Sequence, residues 1–196
     1  MEKGLNKRIK ENNLRKINFM EKFWKIRNTT KGFKGEWIDL NVDNVELPDG
    51  KILHYEALHY HRDGVGVVAE NDKGEIILIK SYRYINDYYG WECPAGTVPP
   101  EQHHSECVIQ ELKEEAGCEI EKEKLVYMGN FYPSIGSSDQ LFHCYYAKGV
   151  RQTGDFPDKN EVLETKWVKK EEIRKMISNG EIKDGFSIAL LLMAEK

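Results

Sequence analysis

The feature that most restricts this chain's fold is a crowd of acids at helical spacing. Between Ser105 and Ala116, Ser105, Ile109, Leu112 and Ala116 share one side of a 3.6-residue wheel, and Gly117 follows, where a residue without Cβ can take the left-handed conformation that ends a helix. Glu111, Glu114 and Glu115 fall together on another side. Like charges at these spacings cost about a few tenths of a kcal/mol per pair, so something must compensate. Water can do so on a plain solvated face. A hard divalent cation, which seeks carboxylate oxygens, can do so at a site. Upstream, Trp91-Glu92-Cys93-Pro94-Ala95-Gly96 ends a strand in a Pro/Gly corner, and a short loop leads into the acidic helix.

Composition narrows the alternatives. The 196 residues, 40% hydrophobic and 32% charged, suffice for one good core but are short for two independent domains. No apolar run approaches the ~18 residues of a membrane span; the longest, Ile188 to Ala194, is a core segment, and no membrane partner is expected. The start lacks a secretory signal pattern, so a cytoplasmic location is expected. Cys93, Cys107, Cys118 and Cys144 stand at irregular spacings without a C-x-x-C, so they read as reduced thiols. Residues 1–28 hold nine Lys/Arg against three Asp/Glu, a charge of +6, leaving -4 - 6 = -10 on the rest. That acidic body makes nucleic acid an unlikely main partner.

Leu5, Ile9, Leu14, Ile17, Met20 and Trp24 space the basic arm as one or two amphipathic helical stretches. Beyond Gly32 and Gly35, strands are expected over Trp37–Val45, Lys51–His61, Gly64–Glu70 and Glu75–Tyr84, with turns at Pro48-Asp49-Gly50 and Asn71-Asp72-Lys73-Gly74. Further strands are expected over Leu125–Tyr132, Gln140–Lys148 and Glu161–Val168, then helices over Lys170–Asn179 and Ser187–Ala194. The organisation is α+β, with a basic helical arm over 1–30 and a single domain over 31–196. Residues 31–62 of that domain are its N-terminal strands and 63–196 its core. His54, His59 and His61 decorate a solvated strand face. His103 and His104 with Cys107 offer too few ligands for a transition-metal site, and exposed loop histidines are the ordinary explanation.

The order of strand, corner, loop and acidic helix resembles the Nudix hydrolase box, G-x5-E-x7-R-E-U-x-E-E-x-G-U with U a bulky apolar residue. Gly96 takes the first glycine and Gln110-Glu111-Leu112-Lys113-Glu114-Glu115-Ala116-Gly117-Cys118 the second half. The likeness runs from about Trp24 to the C-terminus and is closest to the ADP-ribose pyrophosphatase branch. It is carried by Leu47-Pro48-Asp49-Gly50, Ser81-Tyr82-Arg83-Tyr84, Glu92-x-Pro94-Ala95-Gly96, Tyr132 to Gln140, Trp167-Val168 and Gly180 to Gly185. The resemblance implies an α/β/α sandwich around a mixed sheet, preceded by antiparallel strands, and a homodimer formed through those strands. It further implies that the Ala95 carbonyl and the Glu111 and Glu115 carboxylates hold Mg²⁺, or Mn²⁺ in its place, against a diphosphate, with Glu114 assisting. Glu92 and Arg83 would contact substrate, the forked Arg83 donors matching phosphate oxygens. Trp37, Tyr82 or Tyr84 could stack on a base, although core packing is the commoner duty of an aromatic. Ser134, in the Tyr132 to Gln140 segment, joins the substrate contacts. The reaction implied is cleavage of a nucleoside diphosphate sugar, ADP-ribose first, into a nucleotide monophosphate and a sugar phosphate.

Three positions depart from the pattern, each by loss of a charge. Gln102 stands where the box has its first Glu, Gln110 where it has Arg, and Gln140 where the branch has a loop Glu. Loss of both partners of an ion pair leaves no orphaned charge, and two amides can still bond, so Gln102 and Gln110 are expected to be a coupled exchange. An amide cannot take a proton at neutral pH, so the role of Gln140 as base would pass to Asp139, to Glu101 or to water acidified by the cation. The competing expectation is a module that keeps the fold and binds a nucleotide with little or no turnover. A lower-ranked one is an RNA-binding or RNA-processing enzyme using the basic arm.

Overall fold

A computed structural model describes residues 23–154 and 158–195. The chain divides into two compact units, residues 1–35 with 39–58, and residues 36–38 with 59–196. The expected arm helices over residues 1–22 lie outside the described residues. Its last part is not helical, because β1 runs over Lys25–Lys34, where Ile26, Thr29 and Thr30 favour an extended chain.

In the smaller unit β1 pairs antiparallel with β2 (Ile38–Glu46), with bulges at Ile26/Asn28 and Lys31/Phe33, and β2 lies between β1 and β3 (Ile52–Tyr60). Thr29 donates to the buried Asp43 carboxylate at 2.5 Å, and Trp24 meets Tyr55 edge-on at 6.1 Å. All ten β1 residues are exposed, Ile26 and Phe33 among them.

The larger unit is built on a seven-stranded mixed sheet. Its central order is β12 (Val162–Lys169), β5 (Glu75–Arg83), β4 (Gly64–Glu70), β10 (Phe142–Lys148) and β9 (Leu125–Phe131), with β6 (Tyr88–Glu92) on β5 and β7 (Ala95–Thr97) on β4. Among the described residues of this sheet β4 and β10 are the parallel pair, Gly64 opposite Phe142 through Glu70 opposite Lys148. A two-stranded piece joins β8 (Cys118–Glu119) to β11 (Arg151–Gln152).

Side-chain alternation divides the core between the two sheet faces. Val65, Val67 and Ala69 pack with Cys107, Val108, Leu112 and Ala116 of α1 (His104–Ala116). Val68, Ile76, Leu78 and Phe142 meet Ile173 and Met176 of α2 (Lys170–Ser178) and Leu190 and Leu191 of α3 (Gly185–Met193). The result is the expected α/β/α sandwich. Burial on both faces explains why β4 reads as a continuous apolar run. Gly117 closes α1 at φ 60°, its N–H reaching back to the Leu112 and Lys113 carbonyls, the left-handed ending its position suggested.

The strands that frame the site diverge. β4 and β5 share one paired position, Glu70 opposite Ile76. Toward the other end, Gly64–Gly66 of β4 pair with β7, while Ile79–Arg83 of β5 pair with β6. The sheet therefore opens beside the start of β4, and the ends of β5, β6 and β7 border the opening.

Candidate active site

A cavity of about 820 Å³ occupies that opening. Gly64, the Tyr82–Asn86 segment, Glu92, Ala95–Thr97, Gln140 and Lys183–Phe186 line it. Its floor at β7 touches the acidic helix. Glu115 is only 4% exposed, and its carboxylate accepts the Ala95 N–H at 2.8 Å. Glu111 lies over Gly96 so closely that a Cβ there would fall 1.9 Å from Oε1. Gly96 thus leaves the space that a carboxylate fills.

Burial is the leading reason that both acids hold protons unusually well. With Glu114, Glu161 and Asp158 nearby, the Glu111 carboxyl is pushed up to about 7. Glu115 is pushed up to about 8, burial and the charges of Glu111 and Glu161 outweighing the Ala95 N–H and Arg83. The sequence reading put Glu115 with Glu111 and Glu114 on one acidic side. The helix instead turns Glu115 inward beside Leu112 and Ala116, leaves Glu111 half-buried, and exposes Glu114. Ser105 and Ile109 are half-buried, and Cys107 and Val108 take the fully buried places.

This donor set suits a divalent cation. A dication compensates two half-desolvated carboxylates that are otherwise costly to ionise, and hard cations take carboxylate and carbonyl oxygens. Among the described residues no three His, Cys, Asp or Glu side chains converge into a closed cage. An open arrangement of two acids and a backbone carbonyl leaves room for phosphate oxygens, the usual way Mg²⁺ is held beside a substrate.

The other expected site residues are placed as follows. Arg83 is bound through Nε and Nη2 to Glu92, Nε lying 3.0 and 3.1 Å from the two carboxylate oxygens, and Glu92 is 3% exposed. Part of the Arg83 fork is therefore committed within the protein. Tyr82 and Tyr84 line the cavity, Tyr82 stacked 4.7 Å from Tyr89 and donating to Asp87 at 3.1 Å. Gln140 also lines it. Asp139 does not: it accepts the Tyr60 N–H at 2.9 Å and pairs with His59 at 2.7 Å. Burial raises its pKa, but these bonds prevail and leave the carboxyl below its ordinary range, a poor proton acceptor. Ser134 closes a turn with Ser137 away from the cavity lining, and Trp37 lies under Arg62, whose guanidinium is 4.7 Å from the ring centroid. Glu101 is exposed in the loop before α1.

Gln102 and Gln110 meet as expected: the Gln102 amide donates to Gln110 Oε1 at 3.1 Å, and Gln110 passes an N–H to Glu114 at 3.0 Å. All four cysteines are buried free thiols. Burial pushes Cys107 up to about 12 and Cys144 to about 11. His103 and His104 are not plain loop residues. His103 caps α1 by accepting the Ser105 N–H at 3.2 Å, and His104, its first residue, stacks on His143 at 4.2 Å. Sequence reasoning missed Glu161 and Lys183. Glu161 begins an expected strand, and only proximity reveals that its charge is felt by Glu111 and Glu115.

A buried acid pair thus stands beside an aromatic-walled cleft on a mixed α/β/α sheet. The NUDIX domain model matches residues 60–186, and the chain belongs to the Nudix hydrolases, a family of pyrophosphohydrolases. The chain is 32% identical over 154 residues to the ADP-ribose pyrophosphatase of Bacillus subtilis (strain 168), covering 78% of this chain and 82% of that protein. It is 30% identical over 157 residues to the ADP-ribose pyrophosphatase of Mycobacterium tuberculosis (strain ATCC 25618 / H37Rv), covering 78% and 74%. A solved structure described as an ADP compounds hydrolase shares the fold at a TM-score of 0.77 and 17% identity, over 90% of this chain and 94% of that one.

Two predictions follow from this geometry. Below about 7 to 8 the free protein keeps protons on Glu111 and Glu115, and a cation must displace them. The rise in melting temperature on adding 5–10 mM Mg²⁺, roughly a few degrees for a site near saturation, is expected at pH 8 and largely absent at pH 6, and to vanish in Glu115→Gln. Equal shifts at both pH values would contradict it. For the amide chain, Gln110→Arg alone removes the acceptor of the Gln102 amide and sets two donors against each other, whereas Gln102→Glu with Gln110→Arg rebuilds a pair. The single variant is expected to melt lower, by about 1 kcal/mol in stability, and equal effects of the two would refute the coupling.

Proposed function

We propose that this protein is a Mg²⁺-dependent hydrolase of the pyrophosphate bond in a nucleoside diphosphate sugar, with ADP-ribose as first substrate, releasing a nucleotide monophosphate and a sugar phosphate. The observation that carries the reading is the acid pair behind the Gly96 floor, raised to about 7 and 8, at the end of a cavity with a tyrosine wall. The two relatives described as ADP-ribose pyrophosphatases support the choice of substrate.

In this reading the Ala95 carbonyl, Glu111 and Glu115 hold Mg²⁺, or Mn²⁺. The ion's contribution when bound is to neutralise the diphosphate and to make nearby water more acidic. Glu111 and Glu115 would hold the ion as carboxylates, a dication offsetting the cost that burial imposes on their charge. Tyr82 and Tyr84 give the base a face to stack on, and Arg83 turns its uncommitted donors to a phosphate oxygen while Glu92 fixes its plane. Gln140 hydrogen-bonds substrate but takes no proton. With Asp139 engaged by Tyr60 and His59, the proton of the attacking water goes to Glu114, steadied by Gln110, or to Glu161.

The amide of Gln140 at the cavity favours a second reading, a nucleotide-binding module with little turnover. Phosphate released from ADP-ribose products by an added phosphatase separates the two. Wild type is expected to be active only with Mg²⁺, and Glu115→Gln to lose about 100-fold or more. Ligand-induced thermal stabilisation without turnover would establish the module instead.

The assembly proposed is a homodimer through the exposed β1 sheet, where Ile26 and Phe33 stand in water. Light scattering is expected to give twice the 22.8 kDa chain mass, and Phe33→Asp to give the monomer; a monomeric wild type would refute it. Reduced buried thiols fit a cytoplasmic location, and among the described residues no helix is long and apolar enough to cross a membrane.

A further inference from the structure

Four charged side chains line the cavity, and three of them are committed to the protein. Arg83 and Glu92 bind each other. Asp184 caps α3, accepting the Ser187 N–H at 2.8 Å and its hydroxyl at 2.6 Å. The fourth, Lys183, has its ammonium 4.9 Å from the centroid of the Tyr88 ring. Tyr88 in turn is fixed at its far end, its hydroxyl lying 2.9 and 3.1 Å from the Gly180 and Glu181 carbonyls. The Lys183 stem folds over Gly180, where a Cβ would come within 3.0 Å of Cε, and Gly180 turns at φ 75°. The Lys183 side chain thus lies between a hydrogen-bonded ring and a tight turn, and among the described residues no carboxylate pairs with it.

Lys183 and Asp184 line the same cavity as Arg83 and the Ala95–Gly96 floor. A diphosphate with one phosphorus at that floor would have its other phosphate within the space that Lys183 also borders. We propose that Lys183 is a specificity-determining residue that binds a non-bridging oxygen of the phosphate remote from the acid pair, the one that departs as part of the second product. An ammonium suits this task, because its compact charge carries three rotatable donors for a phosphate oxygen. The assignment rests on the hydrolase reading above.

The test compares wild type, Lys183→Met and Lys183→Arg on ADP-ribose with Mg²⁺, alongside calorimetric titration of the non-hydrolysable methylene-bridged analogue. Loss of a charge-assisted contact is expected to raise KM and the analogue's Kd about tenfold or more in Lys183→Met. The kcat is expected to change far less, and Lys183→Arg to recover most of the affinity. Unchanged KM and Kd in Lys183→Met, with an active wild type, overturn the assignment and leave the hydrolase reading standing. Equal losses in both variants together with a lowered melting temperature point to packing on Tyr88, and also overturn it. A wild type that neither binds the analogue nor cleaves ADP-ribose removes the hydrolase reading and this assignment with it.

Discussion

The contact on which the site depends joins a carboxylate to a backbone amide. Glu115 is almost wholly buried, and its recorded protein hydrogen bond comes from the Ala95 N–H at 2.8 Å. One neutral donor does not repay the desolvation of a full charge, so the carboxyl rises to about 8. The bond has a mechanical consequence as well. It ties β7 to α1 across the opening of the sheet, and the next residue, Gly96, lets the Glu111 carboxylate settle over the same strand. Core packing by Leu112, Val108 and Ala116 against Val65 and Val67 sets the helix at that height. The hydrophobic layer stabilises the domain, and the acids that it carries inward are left in need of a cation.

The divergence of β4 from β5 supplies the space. A fully paired sheet would close over the start of β4; here β6 and β7 take up the freed edges, so backbone groups remain bonded while the strands separate. The tyrosine wall rises from the end of β5 and its short connection to β6, where Asp87 accepts a positive φ of 46° and receives the Tyr82 hydroxyl. An Asp at that position tolerates the left-handed conformation better than most side chains do.

Much of this was legible in residue order. The acidic helix, its glycine stop, the Pro-Ala-Gly corner and the two-faced core strand all follow from local chemistry, and the paired amides at Gln102 and Gln110 were inferred from a double loss of charge. What stayed hidden depends on three dimensions. A helical wheel cannot tell that Glu115 points inward, because charge alone places it with Glu111 and Glu114. Asp139 looked available until Tyr60 and His59, some 80 positions away, were found to hold it. Glu161 occupies an expected strand boundary, and Lys183 lies in the Gly180 to Gly185 segment, where the resemblance marks the stretch but not which side chain reaches the cavity. β1 was missed because it follows a basic amphipathic stretch whose period suggests a helix.

The three glutamines acquire different meanings once their surroundings are known. Gln102 and Gln110 lie in an amide chain that ends on the exposed Glu114, so the chain orients a carboxylate without adding a positive charge beside it. An arginine in the Gln110 position would engage the same acid as an ion pair, whereas the amide holds it by a hydrogen bond alone. Gln140, by contrast, faces the cavity and can only offer or accept hydrogen bonds. On the proposed reading, acid–base work would move from the loop that contains Gln140 to the helix side, where Glu111, Glu114, Glu115 and Glu161 concentrate negative charge. A cation at that side would then relieve the repulsion and attract a diphosphate by the same charge, which would couple binding to acidity at this site.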